Sequence, residues 1–115
     1  MSLNIKEKYG LLINNEWVPA SDGAEFAVYN PANGEQLAVC AEATQADVDK
    51  AVEVATEAFK TWKHVSQVDR ADYLLKIADA IDAHKEHLAQ VETYDNGKPI
   101  RETLNVDVPL GADHF

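Results

Sequence analysis

Thr44-Gln45-Ala46-Asp47-Val48-Asp49-Lys50-Ala51-Val52-Glu53-Val54-Ala55-Thr56-Glu57-Ala58-Phe59-Lys60-Thr61-Trp62 is the stretch on which the fold reading turns. Val48, Ala51, Val52, Ala55, Ala58, Phe59 and Trp62 recur at helical spacing and make one continuous apolar stripe. Asp49, Lys50, Glu53, Glu57 and Lys60 take the other face. Thr44 and Asp47 have the spacing of a capping box, with Asp in place of the usual Glu. The pattern predicts a helix from about residue 45 to 62.

Downstream the helical pattern continues. Ser66 and Asp69 repeat the capping signal, and Leu74, Leu75, Ala78 and Ile81 carry a second amphipathic helix to about Ala83. Leu88, Val91 and Tyr94 carry a third, which ends at Asn96-Gly97, where glycine suits a left-handed cap. Pro99 can open a fourth helix, with Ile100, Leu104 and Val108 as its apolar positions. Pro109 and Gly111 are expected to kink or interrupt it.

Upstream the period changes to that of strands. Leu11 to Val18 is two short β-type runs around Asn14-Asn15, a pair that tolerates the left-handed angles of a tight hairpin turn. Phe26, Val28 and Tyr29 suggest another strand, Asn30-Pro31-Ala32-Asn33-Gly34 is a breaker cluster, and Glu35 to Ala41 reads as a strand. The expected order is short antiparallel β-hairpins followed by about four α-helices. Residues 1–10 carry no element signal and are expected to be a flexible N-terminus.

Composition sets limits. The 115 residues suffice for one small domain. The net charge of −10 repels phosphate backbones and anionic lipid, so no nucleic-acid or membrane partner is expected. The single cysteine, Cys40, cannot form an internal disulfide, and no export signal is legible, so a cytoplasmic location is expected.

Three stretches resemble the aldehyde dehydrogenase superfamily. They are Ile13-Asn14-Asn15-Glu16-Trp17, Tyr29-Asn30-Pro31-Ala32-Asn33-Gly34-Glu35 and Glu92-Thr93-Tyr94-Asp95-Asn96-Gly97-Lys98-Pro99. Asp47 to Trp62 resembles that family's first long helix, and Arg70 with Leu74-Leu75 the start of the next. The resemblance covers Leu11 to Phe115 in order and register. It implies an α/β parent fold in which residues 11–115 are the N-terminal part of a cofactor-binding domain, truncated inside a helical pattern.

The resemblance also implies a reaction. Family members oxidise an aldehyde to an acid with NAD or NADP, through a cysteine thiolate and a glutamate-activated water. The family's nucleophile, glutamate and dinucleotide-binding loop all lie beyond Phe115, so no catalytic or cofactor-binding residue is expected here, and no tight binding of NAD or NADP. Parent enzymes of this family are homo-oligomers. By resemblance, the Asp95 side chain with the carbonyls of Ala27 and Val28 would help hold a structural monovalent cation. The competing reading is that Asp95 only caps the turn at Gly97. Val106 and Leu110 resemble positions lining the substrate tunnel, against the alternative that they are helix core.

Other chemistry is thin. Cys40 has no basic neighbour in sequence and reads as an inert structural thiol. His84 and His87, three apart on a helix, are half a zinc site at most and read as a solvated face. His64 and His114 have no partners legible in sequence. There is no Gly-x-Gly-x-x-Gly. A rival to the enzyme reading is an acidic helical module that self-associates or binds partners through apolar helix faces.

Overall fold

The computed structural model describes residues Leu3–Phe115. The chain divides into two compact units. One comprises Lys6–Val28 and Ala38–Val65. The other comprises Tyr29–Leu37 and Ser66–Phe115, with residues 3–5.

The strands are β1 (Lys8–Tyr9), β2 (Leu11–Ile13), β3 (Glu16–Val18), β4 (Glu25–Tyr29) and β5 (Gln36–Ala41), all in the first unit except Tyr29 at the end of β4 and Gln36-Leu37 at the start of β5. β2 and β3 form the expected antiparallel hairpin, with Leu12 opposite Trp17. Asn14 and Asn15 both take positive φ, 55° and 62°, as a tight hairpin turn requires. β4 and β5 are neighbours in a three-stranded sheet ordered β1-β5-β4. Its third member differs from the expectation. Lys8-Tyr9, silent in the sequence, pairs parallel with Val39-Cys40. A two-residue strand is too short to show periodicity. Gly10 then carries the chain from one sheet to the other, so close to β3 that a Cβ there would lie 2.7 Å from the Val18 carbonyl oxygen.

Helix α1 (Gln45–Trp62) has the expected limits. The capping box is complete: Thr44 Oγ1 accepts from Asp47 N–H, and the Asp47 carboxylate accepts from Thr44 N–H. The same carboxylate oxygen also accepts from Ser21 N–H at 3.1 Å and from Thr44 Oγ1 at 3.0 Å. Ser21 and Thr44 hydroxyls share a 2.8 Å bond. Asp47 thus ties the turn after β3 to the start of α1, and is buried in doing so. Helix α1 packs against β2, and Ala51 and Val54 are half-buried. The rest of the stripe is not covered: Val48, Val52, Phe59 and Trp62 are all exposed, Val52 at 60% and Phe59 at 56%.

The second unit holds α2 (Gln67–Ala83), α3 (Lys85–Asn96), α4 (Ile100–Glu102), a π-turn (Thr103–Asp107) and α5 (Val108–Asp113). Ser66 caps α2, accepting from Asp69 N–H. α5 packs on α2, and the π-turn packs on α3. The fourth helix departs from expectation. Its irregularity falls in the turn before Pro109, not at Pro109 or Gly111, and Val108 N–H bonds Thr103 C=O, five residues back. An interior proline clashes with the carbonyl four residues earlier, here Asn105, and the wider turn relieves that clash. The burial also differs from expectation. Ile100 is exposed, while Thr103 and Ala112, absent from the expected apolar set, are buried.

Hydrogen bonds from Thr44 and Ser21 backbone N–H hold the Asp47 carboxyl below its ordinary pKa, against the opposing effect of burial. A depressed carboxyl stabilises the fold fully above its unfolded value and loses that contribution as pH falls through the folded one. Asp47→Ala is therefore expected to lower the urea midpoint at neutral pH. Its difference from the unsubstituted chain should shrink as pH drops below about 4. A difference that stays constant with pH would contradict this.

Candidate functional site

The two loop motifs come together in the second unit. Asn30 is buried, its side-chain oxygen accepts from Ala32 N–H at 2.9 Å, and its carbonyl accepts from Gly34 N–H at 2.8 Å. This holds Pro31 in a tight loop whose base is the Asn30 N–H to Glu35 carbonyl bond. At the end of α3, Gly97 takes φ 81° and donates to the Thr93 carbonyl. Pro31 lies against it: a Cβ on Gly97 would sit 3.0 Å from Pro31 Cγ. The Asn-Pro and Asp-Asn-Gly-Lys segments are two halves of one contact.

The side chain that holds this turn is Asn96. Its oxygen accepts from Lys98 N–H at 2.7 Å, and its amide nitrogen donates to Glu92. Asp95 is exposed in the last turn of α3. Ala27 and Val28, its expected companions around a cation, are half-buried on β4 in the other unit. Among the described residues no group of three or more His, Cys, Asp or Glu side chains could hold a metal.

Lys98 and Asp107 escaped the sequence reading. The ammonium lies 2.8 Å and 2.6 Å from the two carboxylate oxygens, linking the α3–α4 turn to the π-turn. The hydrogen bond to Asp107 raises the Lys98 pKa, aided by the charges of Asp107, Glu102 and Glu92, against a desolvation cost. Their separation of nine residues matches no helical spacing, so no periodicity pointed to the pair. Thr103 was also missed. It is completely buried, with its hydroxyl 3.1 Å from the carbonyls of Ala89 and Ile100 and 2.9 Å from Thr93 Oγ1. The available signal was Pro109, which inside a helix demands relief one turn earlier.

Val106 and Leu110 both face outward, 54% and 52% exposed, so they are not core positions of this chain. A shallow groove is lined by Leu75, Ala78, Pro109, Ala112 and Phe115 with the carboxylates Asp82 and Asp113. His84 and His87 border an open groove of about 500 Å³ with Asp82 and Glu86, and His84 Nδ1 is 2.8 Å from the Ala80 carbonyl. His114 Nδ1 likewise meets the Leu110 carbonyl. Cys40 is half-buried on β5 opposite Tyr9.

Residues 17–115 match the model of the aldehyde dehydrogenase family. The chain belongs to the aldehyde dehydrogenase family. It is 45% identical over 113 residues to an acetaldehyde dehydrogenase of Pseudomonas aeruginosa, a match covering 98% of this chain and 22% of that one. The structure of an aldehyde dehydrogenase from Bacillus cereus in complex with NAD+ superposes with a TM-score of 0.89 at 41% identity, over 96% of this chain and 22% of that one. An NAD-dependent aldehyde dehydrogenase from Sinorhizobium meliloti gives a TM-score of 0.89 at 34% identity, over 96% and 22%. The α/β aldehyde dehydrogenase fold is therefore shared, and the chain spans about a fifth of the length of these relatives. No helix among the described residues is long and apolar enough to cross a membrane.

Gly97→Ala is expected to cost about 1–2 kcal/mol for the left-handed backbone alone. The crowding of Pro31 adds to this. Urea denaturation of the variant checks it, and an unchanged midpoint would show that Gly97 does not hold the left-handed cap in solution.

Proposed function

We propose that these residues are the N-terminal part of the cofactor-binding domain of an NAD(P)-dependent aldehyde dehydrogenase, and that alone they oxidise no aldehyde. The observation that carries this is the match itself: 98% of the chain aligns with 22% of a dehydrogenase. The uncovered apolar stripe of α1 supports it. The buried apolar residues among those described are Ala20, Ala38, Ala89 and Ala112, all alanines. Burying a Val or Phe side chain is worth about 1.5–3 kcal/mol, and the exposed stripe forgoes most of that.

The chemistry points the same way. Aldehyde oxidation by this family's route needs an activated thiolate, a general base and a cradle for the dinucleotide. Cys40 lies within a paired strand, and the chain has no glycine-rich phosphate loop. In the assembled enzyme, Asp95 with the carbonyls of Ala27 and Val28 contributes to a monovalent-cation site. Val106 and Leu110 offer an apolar wall to the aldehyde. The cytoplasm and a homo-oligomeric parent complete the reading.

A second reading concerns the chain by itself. The exposed Val48, Val52, Phe59 and Trp62 on α1 favour self-association through apolar faces.

Three outcomes test these statements. The purified chain mixed with NAD and acetaldehyde should form no NADH, and steady NADH production would overturn the assignment. Light scattering should give a mass above the 12.7 kDa monomer that grows with concentration. A stable monomer at high concentration would remove the second reading. In a full-length dehydrogenase carrying this segment, Leu110→Ala should shift the kcat/KM ratio between long and short aldehydes by roughly tenfold. An unchanged ratio would remove Leu110 from the aldehyde's path.

A further inference from the structure

We propose that Thr103 is a positioning residue: its buried hydroxyl fixes the π-turn that aligns Val106 and Leu110 as one apolar wall for the hydrocarbon part of the aldehyde. The use of that wall rests on the reading of Val106 and Leu110 given above; the alignment stands on geometry alone.

Thr103 and Ala112 are nine residues apart and both buried, at 0% and 7% exposure. At about 100° per residue, a continuous α-helix would put them about 180° apart, so one would face solvent. The π-turn takes in one extra residue. Counted as eight steps, the separation falls to about 80°, and both can face inward. On the outer side, two of the five steps across the wide turn lie between Val106 and Leu110. They take about two-fifths of the roughly 100° correction, so a pair about 40° apart in an α-helix comes close to one line. That agrees with their near-equal exposure. Without the extra residue, Leu110 would rotate toward the direction of Thr103.

Three groups hold the wide turn. Thr103 Oγ1 meets the Ala89 and Ile100 carbonyls at 3.1 Å, and Thr93 Oγ1 meets it at 2.9 Å. One hydroxyl proton cannot serve all three, so Thr93 donates to Thr103, and Thr103 donates to the carbonyls. Lys98 grips Asp107 at the other end of the turn. Pro109 disfavours a return to α geometry. Of these, Thr103 alone joins the turn directly to the α3 backbone, through Ala89.

The test is thiol labelling of the 115-residue chain with a maleimide, in a Cys40→Ser background, at Val106→Cys, Leu110→Cys or Ala112→Cys. Positions 106 and 110 should label at similar rates, and position 112 roughly tenfold more slowly, because it must await local opening. Adding Thr103→Val, which keeps the shape and removes the hydroxyl, should speed labelling at 112 and slow it at 110. Thr103→Ser should restore the original order. Simple loosening would speed every site together and would overturn the proposal, as would an order unaffected by Thr103→Val. If the valine variant precipitates, the chain with Thr103 intact still decides: labelling at 112 as fast as at 110 means a straight helix and refutes the π-turn. Labelling that behaves as expected, beside an unchanged aldehyde preference for Leu110→Ala, would leave the alignment standing and remove only the substrate reading.

Discussion

Thr103 meets Ala89 with no surface left to solvent on either residue, and its hydroxyl bonds the Ala89 carbonyl. Much of the second unit depends on that contact. Tyr73, Leu74, Leu75, Ile77 and Leu88 of α2 and α3 remain exposed, and Ile81, Val91 and Tyr94 are only half-buried. Where the helices meet, the buried residues are two alanines and a threonine, small enough to let backbones approach closely. A hydroxyl suits such a place only when its bonding capacity is used, since a buried polar group left unpaired costs about 1–3 kcal/mol. Here Thr93 and two carbonyls use it.

Much of the architecture was legible because its signals are local. The α1 boundaries follow from Thr44 and Asp47 at one end and the apolar repeat to Trp62, and the hairpin from Asn14-Asn15. Where partners are distant in sequence, the reading failed for a physical reason. Lys8-Tyr9 becomes a strand only because Val39-Cys40 lies beside it. In the fourth helix the expected Leu104 and Val108 are half-buried, but the full burial of Ala112, beyond the wide turn, did not follow from a repeat of 3.6 residues per turn. Asp47 was recognised as a cap, but its bond to Ser21, 26 residues away, was not. Of the candidate site, Val106 and Leu110 lie together on one helix, while Asp95 and the Ala27–Val28 strand fall in different units.

The exposed stripe on α1 and the family match describe one situation from two sides. Amphipathic helices gain most of their stability from packing their apolar faces rather than from intrinsic propensity. A helix of 18 residues with a complete capping box can form locally, but Val52 and Phe59, more than half exposed, contribute little to holding it in place. The relatives carry nearly five times as much chain. Stability and activity are thus linked in the proposed reading, because the polypeptide that would bring the chemistry is also the polypeptide that would cover these side chains.

Gly97 and Pro31 are 66 positions apart and in van der Waals reach. A sequence reading treats them as two separate signatures, yet they share one contact. A side chain at 97 would bring its Cβ to 3.0 Å from the Pro31 ring and strain the left-handed backbone as well. A recombination point placed between the two motifs would therefore join a loop and a helix end that had not been fitted to each other.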